Sequence, residues 1–296
     1  MVAVAERVAE LDGRFLAVAL VLQLAALAFR ALAWRGVLAA AYPERRIPLL
    51  GVGCAYAAGV AVNAFVPARG GEGAKVALVR SQLPGSSVAT IASSLSVVLV
   101  LDTLLGAALM TTLWSLGRAP ALPSPPSVGT LPLVAGIVAL VAVAAGLLAV
   151  ARSTAAVRRF LAAAARGFSV LRRPWTYAST VLPFQLSAWA CRIAVVYLVL
   201  HAFRFEAGLE TAVVLVVFTG VSTAVPVPGG AGSQQVLAAY ALQGVVSTAG
   251  AVSFSLGMQV GVTAVNAAVG LAATMLLFRT IRPLAAVRAA RGRTPQ

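Results

Sequence analysis

Long apolar runs alternate with short polar or basic stretches along this chain. Seven runs are candidate membrane spans: Phe15–Trp34, Ile47–Val66, Val88–Leu116, Val128–Val150, Tyr177–Leu200, Leu209–Val225 and Ser247–Phe278. A helix of about 20 residues crosses the hydrocarbon core of a bilayer. Backbone polar groups in lipid must bond internally, and these runs are too long and too apolar for barrel strands. The pattern therefore predicts an all-α polytopic membrane protein.

The composition agrees with this fold class and argues against a soluble enzyme. Of the 296 residues, 60% are hydrophobic and only 10% are charged, and the mean hydropathy is +0.95. A soluble domain carries charge on about a quarter of its residues. The first run is too long for a cleavable signal, follows acidic residues and lacks a small-residue cleavage site, so we expect it to remain as a span.

Residue types suited to metal or disulfide chemistry are scarce. Cys54 and Cys191 lie in apolar runs without CxxC spacing, and His201 is the single histidine. We therefore expect no cofactor, no metal site and no catalytic residue. The net charge is +15, but the arginines cluster at run ends without aromatic interleaving. Anionic lipid headgroups, and not nucleic acid, are the expected partners.

The distribution of Lys and Arg predicts an orientation in the cell membrane. If every run crosses once, the N-terminus and the loops after the second and fourth runs share a face with 11 cations. The opposite face then carries six, namely Arg30, Arg35, Arg45, Arg46, Arg118 and Arg204. The positive-inside rule thus favours a cytoplasmic N-terminus. A basic C-terminus should also be inside, so we expect seven or eight transmembrane helices, with one run split or an extra crossing.

A basic stretch separates two halves of a single transmembrane domain, 1–296. In this connector, 152–173, apolar positions such as Phe160 and Leu161 are set against arginines, which fits an amphipathic helix on the inner face. A plain basic loop fits as well. The repeat halves are then about 14–151 and 174–279, and a basic tail covers 280–296.

One motif occurs twice, with Pro67 and Pro226 separated by 159 residues. VPARGGEG and VPVPGGAG share the pattern VPxxGGxG, and each follows an apolar run and precedes a short helical pattern. Proline ends the run, and glycines permit a sharp reversal into a helix whose N-terminal amides attract anions. Such interruptions in two halves point to a transporter site, so we predict a two-half internal repeat with two re-entrant segments. Tight interhelical turns are the alternative.

Polar residues at the two motifs are candidate substrate ligands. They are Arg69, Gly71, Glu72 and Lys75 in the first copy, and Gly229, Gly230, Gly232, Ser233, Gln234 and Gln235 in the second. Glu72 and Lys75 share a helix face because they are three residues apart. Arg69 and Lys75 can hold a headgroup phosphate while Glu72 either orients them or pairs with a cationic group. A solvated charged loop is the alternative.

Two charges inside the runs complete the predicted substrate-binding set. Asp102 and Arg192 would each cost about 2.5–3.5 kcal/mol at the centre of an inserted helix. They should therefore face a polar cavity or each other. A static Asp102–Arg192 ion pair and a role in contacting substrate are equally compatible with the sequence.

At these residues the sequence resembles the lysylphosphatidylglycerol synthase transmembrane-domain family, also described as flippase-like membrane proteins. The resemblance covers essentially the whole chain and is carried by NAFVPARGGEGAKVALV at 63–79 and VPVPGGAGSQQVL at 225–237. It implies broken helices around a lipid-accessible cavity and movement of a lipid between leaflets. The residues that match the family pattern are Arg69, Gly71, Glu72, Lys75, Asp102, Pro228, Gly229, Gly230 and Gly232.

The sequence departs from the family pattern at three positions. Many members have an acidic residue where Gln235 stands, and an acidic residue followed by a basic one where Val98 and Leu99 stand. The resemblance therefore does not extend to acid-dependent chemistry at Gln235. No aminoacyltransferase domain follows the membrane region, so synthesis of lysylphosphatidylglycerol is not expected of this chain alone.

The leading functional hypothesis is a non-enzymatic, flippase-like transporter. Its substrate would be an anionic phospholipid or a polyprenyl-phosphate-linked lipid. The alternatives are a membrane-embedded lipid phosphatase or glycosyltransferase, and a scaffold for a separate lipid-modifying enzyme. Phosphoryl chemistry requires clustered acids, a base or metal ligands, and this chain offers few of them. The sequence does not determine the oligomeric state.

Overall fold

The computed structural model describes residues 13–66, 70–118, 155–222 and 232–278. Within these ranges the regular elements are all helical, which confirms the predicted class. In chain order they are α1 (Gly13–Ala41), α2 (Leu49–Phe65), α3 (Gly70–Gln82), α4 (Val88–Ser115), α5 (Ala155–Gly167), a 3₁₀ turn (Ser169–Arg172), α6 (Pro174–Thr180), α7 (Leu182–Ala202), α8 (Leu209–Ser222), α9 (Ser233–Ala241) and α10 (Thr248–Phe278).

Four of the described helices, α1, α4, α7 and α10, are long and apolar enough to cross a membrane, while α2 and α8 are shorter apolar helices. Large apolar side chains such as Val21, Leu50 and Val260 are about two-thirds exposed. Such surfaces suit a lipid environment, because exposing apolar side chains to hydrocarbon avoids the free-energy cost of exposing them to water. The chain is therefore a multi-pass membrane protein. The predicted span 128–150 and the basic tail 280–296 lie outside the described residues.

Helices α1 and α7 run antiparallel as a central pair. The rings of Phe15 and His201 lie 6.3 Å apart at one end of the pair. At the other end, a Cβ added at Gly36 would lie 2.8 Å from the Thr180 carbonyl oxygen. The glycine therefore permits the close approach of α1 to the chain where α6 meets α7, as small residues do in membrane helix packing.

Helices α2 and α3 form an antiparallel hairpin, which we call the first hairpin. Gln82 Nε2, at the end of α3, donates to the carbonyl oxygen of Gly51, near the start of α2, over 3.3 Å. Close to the bend, a Cβ added at Gly71 would overlap the Gly59 carbonyl oxygen. The first hairpin is therefore packed backbone to backbone.

Helices α8 and α9 form a corresponding antiparallel hairpin, which we call the second hairpin. Near its bend, Ser233 Oγ donates to the Ser222 carbonyl oxygen over 3.5 Å. Further from the bend, the rings of Phe218 and Tyr240 lie 6.1 Å apart.

The two hairpins enter the bundle from opposite ends. The first begins where α1 finishes, since Arg35 Nε on α1 donates to the Ile47 carbonyl oxygen over 2.9 Å. The second begins where α7 finishes, and Phe203 at that end packs edge-on against Phe254 of α10 at 5.5 Å. Because α1 and α7 are antiparallel, these starting points lie at opposite ends.

The end where α1 finishes, which we call the arginine-rich end, carries most of the cations in the described loops and terminal turns. They are Arg35, Arg45, Arg46, Arg80, Arg158, Arg159, Arg166, Arg172 and Arg173. At the opposite end lie Arg14, Arg118 and Arg204.

The grouping of cations predicted from the sequence is wrong at Arg45 and Arg46. Ser169 Oγ donates to the Ala40 carbonyl oxygen over 2.9 Å, and Thr90 Oγ1 donates to the Ala163 carbonyl oxygen over 2.7 Å. These bonds place the connector arginines at the same end as Arg45 and Arg46. The count failed because it assumed that every apolar run crosses, whereas the first hairpin returns to the end it left.

Candidate functional site

A partly buried ion pair joins α1 to α4 inside the bundle. Arg30 Nη2 lies 2.5 Å from Asp102 Oδ2, and the Asp102 side chain is only 15% exposed. The other carboxylate oxygen accepts a hydrogen bond from Trp189 Nε1 on α7 over 3.2 Å. Charge-assisted bonds of this kind stabilise an ionised carboxylate away from water. Asp102 thus holds three helices together.

A second layer of hydrogen bonds supports this pair from α6 and α7. Gln185 is almost fully buried, and its Nε2 lies 3.5 Å from Asp102 Oδ1 and 3.4 Å from the Val98 carbonyl oxygen. Tyr177 donates its hydroxyl to Gln185 Oε1 over 3.0 Å. The carboxylate is therefore fixed in position before any ligand arrives.

Of the two alternatives for Asp102 and Arg192, the static ion pair between them is not formed, because Asp102 pairs with Arg30. Sequence reasoning missed Arg30 by counting it as a loop cation. The signal that identifies it was available, since Arg30 lies within the apolar run 15–34. An arginine there carries the same insertion cost as Asp102 and needs a partner for the same reason.

Arg192 lies on α7 beside this network. Its guanidinium carbon is 5.4 Å from the centroid of the Trp189 ring, and the charges of Arg30 and Asp102 lie near enough to act on it. Among the described residues, no carboxylate lies within 4.0 Å of Arg192. The positive charge of Arg192 therefore has no ion-pair partner in direct contact among the described residues.

The first hairpin contributes a second ion pair. Lys75 Nζ lies 2.8 Å from Glu72 Oε1, so the two residues share a helix face as predicted. Asn63 Nδ2 donates to the same oxygen over 3.2 Å, and Asn63 Oδ1 accepts from the Gly71 amide over 2.8 Å. Lys75 is only 4% exposed, which excludes the solvated-loop interpretation for this residue.

Tyr56 connects the two ion pairs. Lys75 Nζ lies 4.3 Å from the centroid of the Tyr56 ring, and the Arg30 guanidinium lies near both Tyr56 and the Glu72 carboxylate. We call the resulting group the central cluster: Arg30, Tyr56, Glu72, Lys75, Asp102, Trp189 and Arg192. It contains three cations and two carboxylates, so its formal charge is +1.

The second motif has a different environment. Gly232 has a φ of +86°, and its amide donates to Gln235 Oε1 over 2.6 Å. Gln235 Nε2 donates in turn to Gln259 Oε1 on α10 over 2.7 Å. Gln235 therefore caps α9 and ties it to α10, which gives this residue a structural role in place of an acidic one.

Gln234 lines a small cavity between α8, α9 and α10, together with Thr219 and Ser255. Gln234 and Gln235 thus lie beside α8 and α10. Asp102 and Arg192 lie among α1, α4 and α7, and Lys75 packs against α2. The predicted site residues Arg69, Gly229 and Gly230 lie outside the described residues.

Comparison with known proteins identifies the family. Residues 1–285 match the family described as Lysylphosphatidylglycerol synthase TM region. No curated protein and no solved structure matches the chain. The match covers both hairpins and every residue of the central cluster, and it confirms the family indicated by the two motifs.

Proposed function

Since the chain belongs to the lysylphosphatidylglycerol synthase TM-region family, we propose that it is a flippase-like transporter of anionic lipids. Its substrate is a phospholipid or a polyprenyl-phosphate-linked lipid, which it moves between leaflets without chemical change. The observation that carries the proposal is the central cluster, in which Arg30, Asp102 and Arg192 lie on three helices long and apolar enough to span the membrane. Ionisable groups at this depth are costly and usually mark a substrate pathway.

The arrangement of the hairpins supports an inverted repeat. Adding 159 to the first residue of α2 gives 208, and α8 begins at 209. Adding 159 to the last residue of α3 gives 241, and α9 ends at 241. Adding 159 to the first residue of α4 gives 247, and α10 begins at 248. Inverted repeats with broken helices are the architecture of many secondary transporters.

The lengths of the hairpin helices support re-entrant segments. At 1.5 Å per residue, the 13 residues of α3 span about 20 Å and the 9 residues of α9 about 14 Å. Both are shorter than the ~30 Å hydrocarbon core. The two bends then approach the middle of the bilayer from opposite faces, and movement of one half against the other opens the central cluster to each leaflet in turn.

We assign the arginine-rich end to the cytoplasm by the positive-inside rule. Of the cations in the described loops and near the described helix ends, nine lie there and three lie at the other end. This assignment places Gly13 at the non-cytoplasmic face and Phe278 at the cytoplasmic face, which reverses the orientation derived from the sequence. It also accounts for the basic residues that follow Phe278.

The proposal is tested by leaflet exchange of fluorescent anionic lipids in proteoliposomes, with the native chain compared with Lys75→Gln. Arg80→Gln is the matched control, because Arg80 lies on the same helix but is exposed. We expect headgroup-selective exchange that falls about tenfold or more in Lys75→Gln, since a charge-assisted contact is lost, and that is unchanged in Arg80→Gln.

The absence of exchange for every phospholipid and polyprenyl-phosphate lipid tested would contradict transport. Phosphate release from the same vesicles would then identify a lipid-phosphate enzyme. If neither exchange nor release occurs, capture of a lipid-modifying enzyme by the native chain would support the scaffold alternative.

A further inference from the structure

We propose that Arg30 and Arg192 bind the phosphate of the transported lipid and that their site accepts a single negative charge. This inference rests on the proposed function. It specifies the transported lipid as a phosphodiester whose headgroup carries no cation. Arg192 lies ten residues from each end of α7, or about 15 Å. The site is therefore near the middle of the bilayer.

Arg30 has an unused donor that faces away from water. Its Nη2 is committed to Asp102, but its Nε is buried and has no acceptor among the described residues. A buried donor without a partner is costly, and an acceptor oxygen would remove that cost. A phosphate oxygen is an acceptor that also carries the complementary charge.

Arg192 packs by the face of its guanidinium on Trp189, and the described residues offer no carboxylate within 4.0 Å of it. The guanidinium lies over the Trp189 ring, and the indole N–H of Trp189 is anchored on Asp102. Stacking fixes the plane of a guanidinium and leaves its in-plane N–H donors for a bidentate oxyanion. Arg192 is half-buried and is therefore accessible to a headgroup.

The charges of the central cluster determine how much negative charge the site can accept. Glu72 is engaged by Lys75 and Asn63, and Asp102 is engaged by Arg30 and Trp189. Among the described residues of the central cluster, one positive charge remains, and Arg30 and Arg192 repel each other because both are cations. A monoanionic phosphate neutralises that excess, whereas a diphosphate introduces uncompensated negative charge in a low-dielectric region.

A headgroup that carries its own cation is disfavoured for the same reason. A zwitterionic lipid leaves the excess of one positive charge in place, and an aminoacylated lipid increases it. The charge count thus separates lipids that share a phosphodiester and differ only in net charge.

The test measures lipid-induced shifts of thermal unfolding for the purified protein in neutral detergent. The probes are phosphatidylglycerol with one negative charge, phosphatidylcholine with none, lysylphosphatidylglycerol with a net positive charge, and a polyprenyl diphosphate. We expect phosphatidylglycerol to bind most tightly. Arg192→Gln should weaken this binding by roughly ten- to a hundredfold, while the exposed control Arg118→Gln should leave it unchanged.

Glu72→Gln provides a second test that does not remove a cation. It raises the charge of the central cluster to +2, so we expect the preference to move toward the diphosphate. Equal binding of all four lipids, or an unchanged preference in Arg192→Gln and Glu72→Gln, would overturn the inference. Saturable binding of soluble glycerophosphoglycerol would support it and show that the headgroup alone is sufficient.

The outcomes also separate this inference from the proposed function. Lipid exchange in native vesicles with no effect of Arg192→Gln on lipid preference would leave transport intact and refute the arginine site. Charge-selective binding without any leaflet exchange would support the site and contradict transport.

Discussion

The first and second hairpins share a backbone arrangement but not a chemistry. Positions 159 residues apart make equivalent contacts: Lys75 lies over the Tyr56 ring, and Gln234 lines a cavity with Leu215. The ion pair of the first hairpin has no counterpart, because Ala231 and Gln234 stand where Glu72 and Lys75 would be. One scaffold therefore carries charge in one copy and neutral groups in the other.

The packing of the two helices against each other also differs between the hairpins. In the first, Gly59 and Gly71 bring α2 and α3 into backbone contact. In the second, the position equivalent to Gly59 is Phe218, which packs on Tyr240 and borders the small cavity. A repeat can preserve helix direction and length, which depend on proline, glycine and apolar pattern, while the side chains between the helices diverge. We therefore expect the first hairpin, through Glu72 and Lys75, to set the charge around the anion site, and the second to supply a structural counterpart.

The largest expected effect is a difference in cysteine labelling, because the two hairpins enter the bundle from opposite ends. In a chain with Cys54 and Cys191 replaced by alanine, Glu44→Cys reports the loop before the first hairpin, and Glu206→Cys reports the loop before the second. A membrane-impermeant maleimide should label Glu206→Cys on intact cells and label Glu44→Cys only after permeabilisation, because the arginine-rich end faces the cytoplasm.

Labelling of both positions from the same side would contradict opposite entry of the two hairpins. The reverse pattern would keep opposite entry and contradict only the assignment of the cytoplasmic face.

The next effect concerns the tight packing of the first hairpin. Gly71→Ala places a methyl group on the Gly59 carbonyl oxygen, so α3 must move away from α2. We expect a loss of about 1–3 kcal/mol, which is typical of overpacking, measured as a lower midpoint of thermal unfolding in detergent.

Gly73→Ala is the matched control, because a Cβ at Gly73 meets nothing within 4 Å. Alanine is the better helix former by up to about 1 kcal/mol, so this variant should be neutral or stabilised. Equal effects of the two substitutions would mean that α2 and α3 are not in backbone contact.

A smaller effect is expected in the second hairpin. Gln235→Leu removes the bond to the Gly232 amide and the bond to Gln259, each worth about 1 kcal/mol. We expect a modest loss of thermal stability and no change in the lipid charge preference. A change in that preference would show that the second hairpin contacts the substrate and would remove the distinction between the two hairpins.

The sequence alone determined the features that depend on local pattern. Run lengths identified an all-helical membrane protein, because lipid requires continuous apolar helices. Proline and glycine located both bends, and a spacing of three residues placed Glu72 and Lys75 on one face. The two motifs also identified the family. None of these features requires knowledge of which helices are neighbours.

Only the tertiary structure decided the partner of Asp102, the direction of each hairpin and the end to which Arg45 and Arg46 belong. Arg30 and Asp102 are separated by 72 residues, and α3 returns along α2 instead of continuing across. An apolar run records that a segment prefers hydrocarbon, but lipid and neighbouring helices are equally apolar. Hydrophobicity therefore cannot distinguish between them, and packing of small residues and pairing of buried charges select the neighbours.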